Sequence, residues 1–242
     1  MQAWINDFVA DFHLNFIQAK RWKYLLDGLG ATLEITLLSG VLGIIIGIII
    51  AMIRSTYDKT ADGARKTFGR RLFGLLDGIC RVYLTVLRGT PVVVQLMIIY
   101  FVIFASSDNG VMVASLAFGL NSGAYVAEIV RGGIMSIDNG QFEAGRSLGF
   151  NYVQTMRFII IPQTIKNVLP SLANEFIALL KETSVAGYVA VQDLTRGGYI
   201  IQSRTYSPFM PLMAVAAIYL ALVMFFTWLV GKLERRLRSS DH

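Results

Sequence analysis

The sequence predicts an all-α membrane protein: five transmembrane helices, a polar cytoplasmic loop folded between the third and fourth, and an N-terminal helix in the membrane interface. Three observations carry this expectation. Apolar residues make up 55% of the 242 and charged residues 16%, with a mean hydropathy of +0.56, which excludes an ordinary water-soluble domain. The runs Ile35 to Ile53 and Pro208 to Val230 carry no charge, and a hydrocarbon core about 30 Å thick needs roughly 20 apolar residues in a helix. Lysine and arginine alternate in density between successive connections.

Residues 1–30 form the first division, read as an extracytoplasmic interfacial segment. Trp4, Ile5, Phe8, Phe12, Phe16 and Ile17 recur at helical spacing among Asp7, Asp11, Lys20 and Lys23, the pattern of a helix lying on the outer surface. No small-residue cleavage site follows the first apolar run, so the segment is expected to be retained. Residues 31–231 form the membrane domain. In the first span, Ile35 to Ile53, Gly40, Gly43 and Gly47 share a face suited to close helix packing. The second, Val82 to Ala105, contains Arg88 just before Thr90-Pro91, a proline that removes a backbone donor and predicts a kink.

The third span, Val111 to Val130, contains Glu128, and the fourth, Val168 to Val191, contains Glu175 and Lys181. Ionisable groups inside a membrane cost a few kcal/mol each and are functional candidates by default. For Glu128 a local pair with Arg131 is the expected arrangement. Arg88 is read as structural, and Lys181 as a structural or gating residue. Glu175, with Asn174 shortly after Pro170, either faces a central pathway or is paired internally. The last span, Pro208 to Val230, leads into a basic tail over 232–242.

The basic residues set the expected orientation. Arg54, Lys59, Arg65, Lys66, Arg70, Arg71 and Arg81 lie between the first two spans, which the positive-inside rule assigns to the cytoplasm. Five crossings then put the N-terminus outside and the tail inside. With Arg131, Arg146, Arg157 and Lys166, and Lys232, Arg235, Arg236 and Arg238, the cytoplasmic total is 15 of 22. The net charge of +6 thus suits anionic membrane lipid, and no basic and aromatic interleaving points to nucleic acid. Cys80 is a lone cysteine and His13 and His242 lie at opposite ends, so neither a metal cluster nor an intrachain disulfide is expected.

The polar stretch from Gly132 to Lys166 is longer than a simple connection requires. Asp138 or Asn139 is placed to cap a short helix with Glu143 in its first turn, and Gly149 to close it. Asn151 is placed to start a second helix that ends near Ile161, before Pro162. Phe142, Leu148 and Phe150 are candidate docking contacts. Gly140 to Ser147 reads G-x-x-x-x-G-R-S, but Arg146 stands where a phosphate-binding loop needs lysine and no strand precedes it, so nucleotide binding is not expected.

Glu143-Ala144 with Gly149, then nine residues, then Ile159-x-x-Pro162 resembles the cytoplasmic "EAA" loop of type I ABC importer permeases. Gly145 replaces the usual second alanine and Ile161 the usual leucine; the glycine is expected to loosen the short helix by about 0.5 to 1 kcal/mol. Arg88-Gly89-Thr90-Pro91 with Val94-Gln95-Leu96, the run Gly123 to Ile134, and Leu179 to Ser184 with Asp193-Leu194 are similar to the polar amino acid uptake group. The likeness covers about Thr32 to the tail.

That resemblance implies a permease subunit whose coupling residues are Glu143, Ala144, Gly145, Gly149 and Pro162. It implies ABC ATPase subunits carrying ATP and Mg, with no cofactor on this chain and no catalytic residue. It further implies a second permease, identical or similar, and an extracytoplasmic amino-acid-binding protein, in a bacterial inner membrane. Asn174 and Glu175 become substrate-path candidates. The alternative is a secondary transporter of small polar solutes, but the inverted internal repeats of many such carriers are not visible. An intramembrane enzyme would need a nucleophile with its base, or a metal cluster, within the spans.

Overall fold

The computed structural model describes residues 2–60 and 68–238, with side chains over 5–59 and 68–236. Arg65 and Lys66 of the basic loop, and His242, lie outside the described residues. Among these the chain is helical, with no strand. The helices are α1 (Gln2–Phe12), α2 (Trp22–Thr60), α3 (Phe68–Gly89), α4 (Val92–Ile98), α5 (Gly110–Met135), α6 (Asn139–Ser147), α7 (Tyr152–Thr155), α8 (Ile161–Glu182), α9 (Leu194–Thr205) and α10 (Phe209–Arg238). Wider π turns continue α1, α4 and α7 over His13–Ile17, Ile99–Ile103 and Met156–Ile160, and a 3-10 segment follows α8 over Thr183–Val189.

Helices α2, α5 and α10 are each long and apolar enough to cross a membrane, and α3 with its continuation through Ile103 adds a fourth if that broken pair counts as one span. The expected second span is therefore not one helix. Its chain leaves the helix at Thr90–Pro91, because proline has no N–H to donate and disfavours helical geometry in the residue before it. The expected fourth span is α-helical only to Glu182 and too polar to meet the same standard. The apolar runs also understate helix length: α2 extends well beyond Ile35 to Ile53 on both sides, so Arg54 and Lys59 sit on a helix rather than in a loop.

The contacts divide the chain into two compact units: Met1–Ser39, Val92–Phe118 and Ile177–Leu229 in one, and Gly40–Pro91, Gly119–Phe176 and Val230–His242 in the other. In the first, Phe16, Leu25, Leu194, Ile201, Met210 and Val215 form the apolar core. The N-terminal helical stretch is tied to it through buried Asn15, whose side-chain oxygen accepts from the Thr205 hydroxyl at 2.8 Å. Ile5, Phe8, Val9 and Phe12 are exposed along α1, which leaves an apolar strip on its surface. Ala19 and Lys20 take positive φ and separate that stretch from α2.

In the second unit, one core joins Ala51 of α2 and Val126, Val130 and Ile134 of α5 to Phe142, Met156 and Ile160 of the polar loop. A second holds Ile50, Cys80, Leu84, Ala124 and Ala127. Here α2 and α5 approach through Gly43 and Gly47, where a β-carbon would run into Ser122 and Val126.

Candidate functional site

The loop between α5 and α8 is a built knob. Asp138 caps α6 by accepting from the Gly140 N–H at 2.6 Å. At the other end the Gly149 N–H donates to the Arg146 carbonyl at 2.9 Å and the Phe150 N–H to the Gly145 carbonyl at 3.0 Å, with Gly149 at φ +80°. This paired closure satisfies helix-end carbonyls and needs a residue that accepts left-handed geometry. Asn151 then starts α7 with a reciprocal box: its side chain accepts from the Gln154 N–H and its N–H donates to the Gln154 side chain, both at 2.9 Å. The Asn-x-x-Gln signature for this box is legible in the sequence.

Three details differ from the sequence expectation. Glu143 lies beyond the first turn of α6, because the helix already begins at Asn139. The second helix does not end at Pro162; helical structure runs from Tyr152 through a π turn into α8, with the Ile161 N–H donating to the Met156 carbonyl. A wider turn is one way a ladder accommodates a proline that lacks a donor. Gly145 is more than a loosening substitution: it is buried, and a β-carbon there would stand 2.7 Å from the Thr155 side chain, so glycine lets α6 and α7 meet.

The knob's faces are correspondingly divided. Phe142 turns inward into the apolar core and is not a docking contact, whereas Glu143, Ala144 and Gly149 are exposed and Leu148 and Val153 are among the most exposed apolar residues. Phe150 is half-buried, with its ring 6.1 Å from that of Phe158. The base is anchored to the end of α2. Lys59 donates to the Asn139 side chain at 2.6 Å and stands 4.7 Å over the Phe142 ring, and Arg131 reaches the Asp58 carboxylate at 2.7 Å. No sequence spacing announces these contacts, because more than seventy residues separate the partners.

The Arg131–Asp58 pair also corrects the expected local pair between Glu128 and Arg131. Glu128 instead pairs with Arg88, whose guanidinium lies 5.5 Å from the centre of the Tyr125 ring. Arg88 is the last basic residue of α3, just before the break at Thr90–Pro91. Nearer the start of α3, Asp77 is buried and receives both Arg54, at 3.4 Å, and Arg81, at 2.7 Å.

On α8, Glu175 is half-buried and accepts from the Ser122 hydroxyl of α5 at 3.1 Å, while Asn174 beside it is exposed. The helix runs through Pro170 without interruption. Lys181 lies exposed in its last turn. No group of His, Cys, Asp and Glu suited to a metal occurs among the described residues.

Comparison with known proteins identifies the architecture. The chain is 35% identical over 221 residues to the arginine transport system permease protein ArtQ of Bacillus subtilis (strain 168), covering 90% of this chain and 94% of that one. It is 34% identical over 209 residues to the glutamine transport system permease protein GlnP of Escherichia coli (strain K12), covering 85% and 90%. The crystal structure of an amino acid ABC transporter with histidines superposes with a TM-score of 0.78 at 38% identity, over 90% of this chain and 96% of that one. An inward-facing MetNI methionine ABC transporter shares the fold, with a TM-score of 0.74 at 19% identity over 89% and 97%. These likenesses disfavour the secondary-transporter reading. Residues 43–239 match the family described as binding-protein-dependent transport system inner membrane component, and the chain belongs to that family.

Proposed function

We propose that this chain is the permease subunit of an ATP-driven importer of polar amino acids, and that the knob over residues 132–166 receives the motion of a separate ATPase. The observation that carries the reading is the division of the knob: Phe142 packs into the core with α2 and α5 and Gly145 lets α6 close onto α7, while Glu143, Ala144, Leu148 and Val153 are left exposed on a doubly capped base. Such a shape suits force transmission, because a load on the exposed face passes through Arg131–Asp58 and Lys59–Asn139 into α2 and α5. ATP and Mg belong to the ATPase subunits in this account, and this chain performs no covalent chemistry.

A second permease, identical or similar, completes the path, and an extracytoplasmic binding protein delivers the amino acid. The charge distribution supports five crossings with the N-terminus outside and the 232–242 tail in the cytoplasm. The names of the arginine and glutamine relatives support a polar amino acid as cargo. Asn174 and Glu175 face the path in this account, with Ser122 holding the carboxylate in place for an ammonium or amide group.

The test is reconstitution of the permease with its ATPase and binding protein in liposomes, followed by uptake of a panel of labelled amino acids. The expected result is uptake that needs ATP and persists without an ion gradient, weakened by Glu175→Gln and Asn174→Ala. Uptake driven by an ion gradient without ATP overturns the reading.

A further inference from the structure

A cavity of about 530 Å³ opens between α2, α3 and α5, walled in part by Arg54, Arg81, Arg88, Thr85, Tyr125 and Glu128. Its charges do not balance. Three guanidinium groups face two carboxylates, Asp77 and Glu128, leaving an excess of one positive charge. Both Arg54 and Arg81 engage Asp77 through Nε, and Arg88 engages Glu128 through one terminal amine, while all three line the cavity. Arg54 sits deep, with its side chain 14% exposed, while Arg81 and Arg88 at 54% and 38% border the opening.

A guanidinium presents its donors as a planar fork that matches two oxygens of a carboxylate or phosphate. Three guanidinium groups around one cavity, two of them held by buried Asp77 and one by Glu128, are positioned for such a partner. A neutral or cationic ligand gains nothing from the excess charge.

We propose that this cavity is a binding site for an oxyanion group, carried either by an anionic phospholipid headgroup or by the carboxylate of a transported amino acid. The second source rests on the function proposed above; the first does not. Binding at this place ties α2, α3 and α5 together through one ligand, so occupancy steadies the helices that carry the base of the knob.

The test uses the full chain purified in a zwitterionic detergent, with two pairs of probes. Phosphatidylglycerol is compared with phosphatidylcholine by native mass spectrometry, and L-arginine and L-glutamine are each compared with their decarboxylated analogues, agmatine and 4-aminobutanamide, by calorimetry. The expected result is a preference of about tenfold or more for the anionic member of at least one pair, the scale of one charge-assisted contact. Arg81→Gln, which leaves Asp77 paired with Arg54, should abolish that preference, and Arg235→Gln, an exposed residue outside the cavity, should leave it intact.

Preference for phosphatidylglycerol alone assigns the headgroup, and preference for the intact amino acid assigns the carboxylate. No preference in either pair, or an equal loss in both variants, overturns the proposal. Should ATP-dependent uptake proceed normally while neither pair discriminates, only the oxyanion site falls.

Discussion

The knob over residues 132–166 and the segment Gln192–Ser207 are both short helical insertions between apolar stretches, and both open on an aspartate. Asp138 accepts from the Gly140 N–H at 2.6 Å and Asp193 from the Arg196 N–H at 2.7 Å, yet Asp138 is exposed and Asp193 fully buried. The same capping device thus serves opposite ends. At α6 it fixes a helix whose outer face is left open. At α9 it seals a helix into the core of Leu25, Leu194 and Ile201, with the Leu194 N–H donating to the Thr32 hydroxyl at 3.0 Å. Burial pushes the Asp193 carboxyl up to about 6, against the pull of the backbone N–H donors around it.

The contrast is sharpest at the glycines. A β-carbon at Gly197 of α9 would strike the Tyr24 backbone carbonyl at 2.3 Å, whereas at Gly145 it would meet only side-chain atoms, Cγ2 and Oγ1 of Thr155 at 2.7 Å, which yield by a shift of α7 rather than of a long helix. Gly197→Val is therefore expected to abolish folded, monodisperse protein. Gly145→Ala should cost about 1 to 3 kcal/mol, seen as a lowered midpoint in thermal unfolding. Equal loss of folded protein from the two substitutions would show that the two glycines are packed alike.

Removing the caps gives the next smaller difference. Asp193→Ala strands buried donors and should cost about 1 to 3 kcal/mol, while Asp138→Ala removes an exposed cap worth about 1 kcal/mol. Denaturant melts of the two variants, followed by the accessibility of engineered cysteines in each segment, would rank them.

A pH series isolates the burial of Asp193. Its folded-state pKa lies above the ordinary carboxylate value, so the native state holds the proton more tightly than the unfolded chain. The associated stability is present below about pH 4 and is lost as pH rises towards 6, then changes no further. Asp193→Asn keeps a cap oxygen and removes the titration, so the gap in unfolding midpoint between wild type and variant should widen over that window in the variant's favour. A gap that stays constant from pH 4 to 7 would contradict the burial account.

Much of the knob is legible in the sequence because its devices are local: an aspartate before a helix, a glycine after it, and Asn151 with Gln154 at the next start. What the sequence hides is what those helices lean on. Phe142 looks like a docking residue until Ala51, Val130 and Met156 are seen around it, and Glu128 looks paired to Arg131 until Arg88 and Asp58 claim one each. These contacts join segments far apart in the chain, and helical spacing carries no information about them. The break at Thr90–Pro91 is intermediate: proline announces a disturbance, but the apolar run through it reads as one uninterrupted span.

In the function proposed above, the open face of the knob couples a partner's ATP hydrolysis to movement of the permease. The most direct measurement is the ratio of amino acid uptake to ATP hydrolysis in liposomes containing the assembled complex, for wild type, Glu143→Lys and Val153→Asp. Both substitutions lie on exposed positions and should leave the subunit folded. The account predicts a ratio reduced by about tenfold or more, on the scale of one lost interfacial contact of about 1.4 kcal/mol, with hydrolysis persisting. A wild-type ratio in both variants would contradict it.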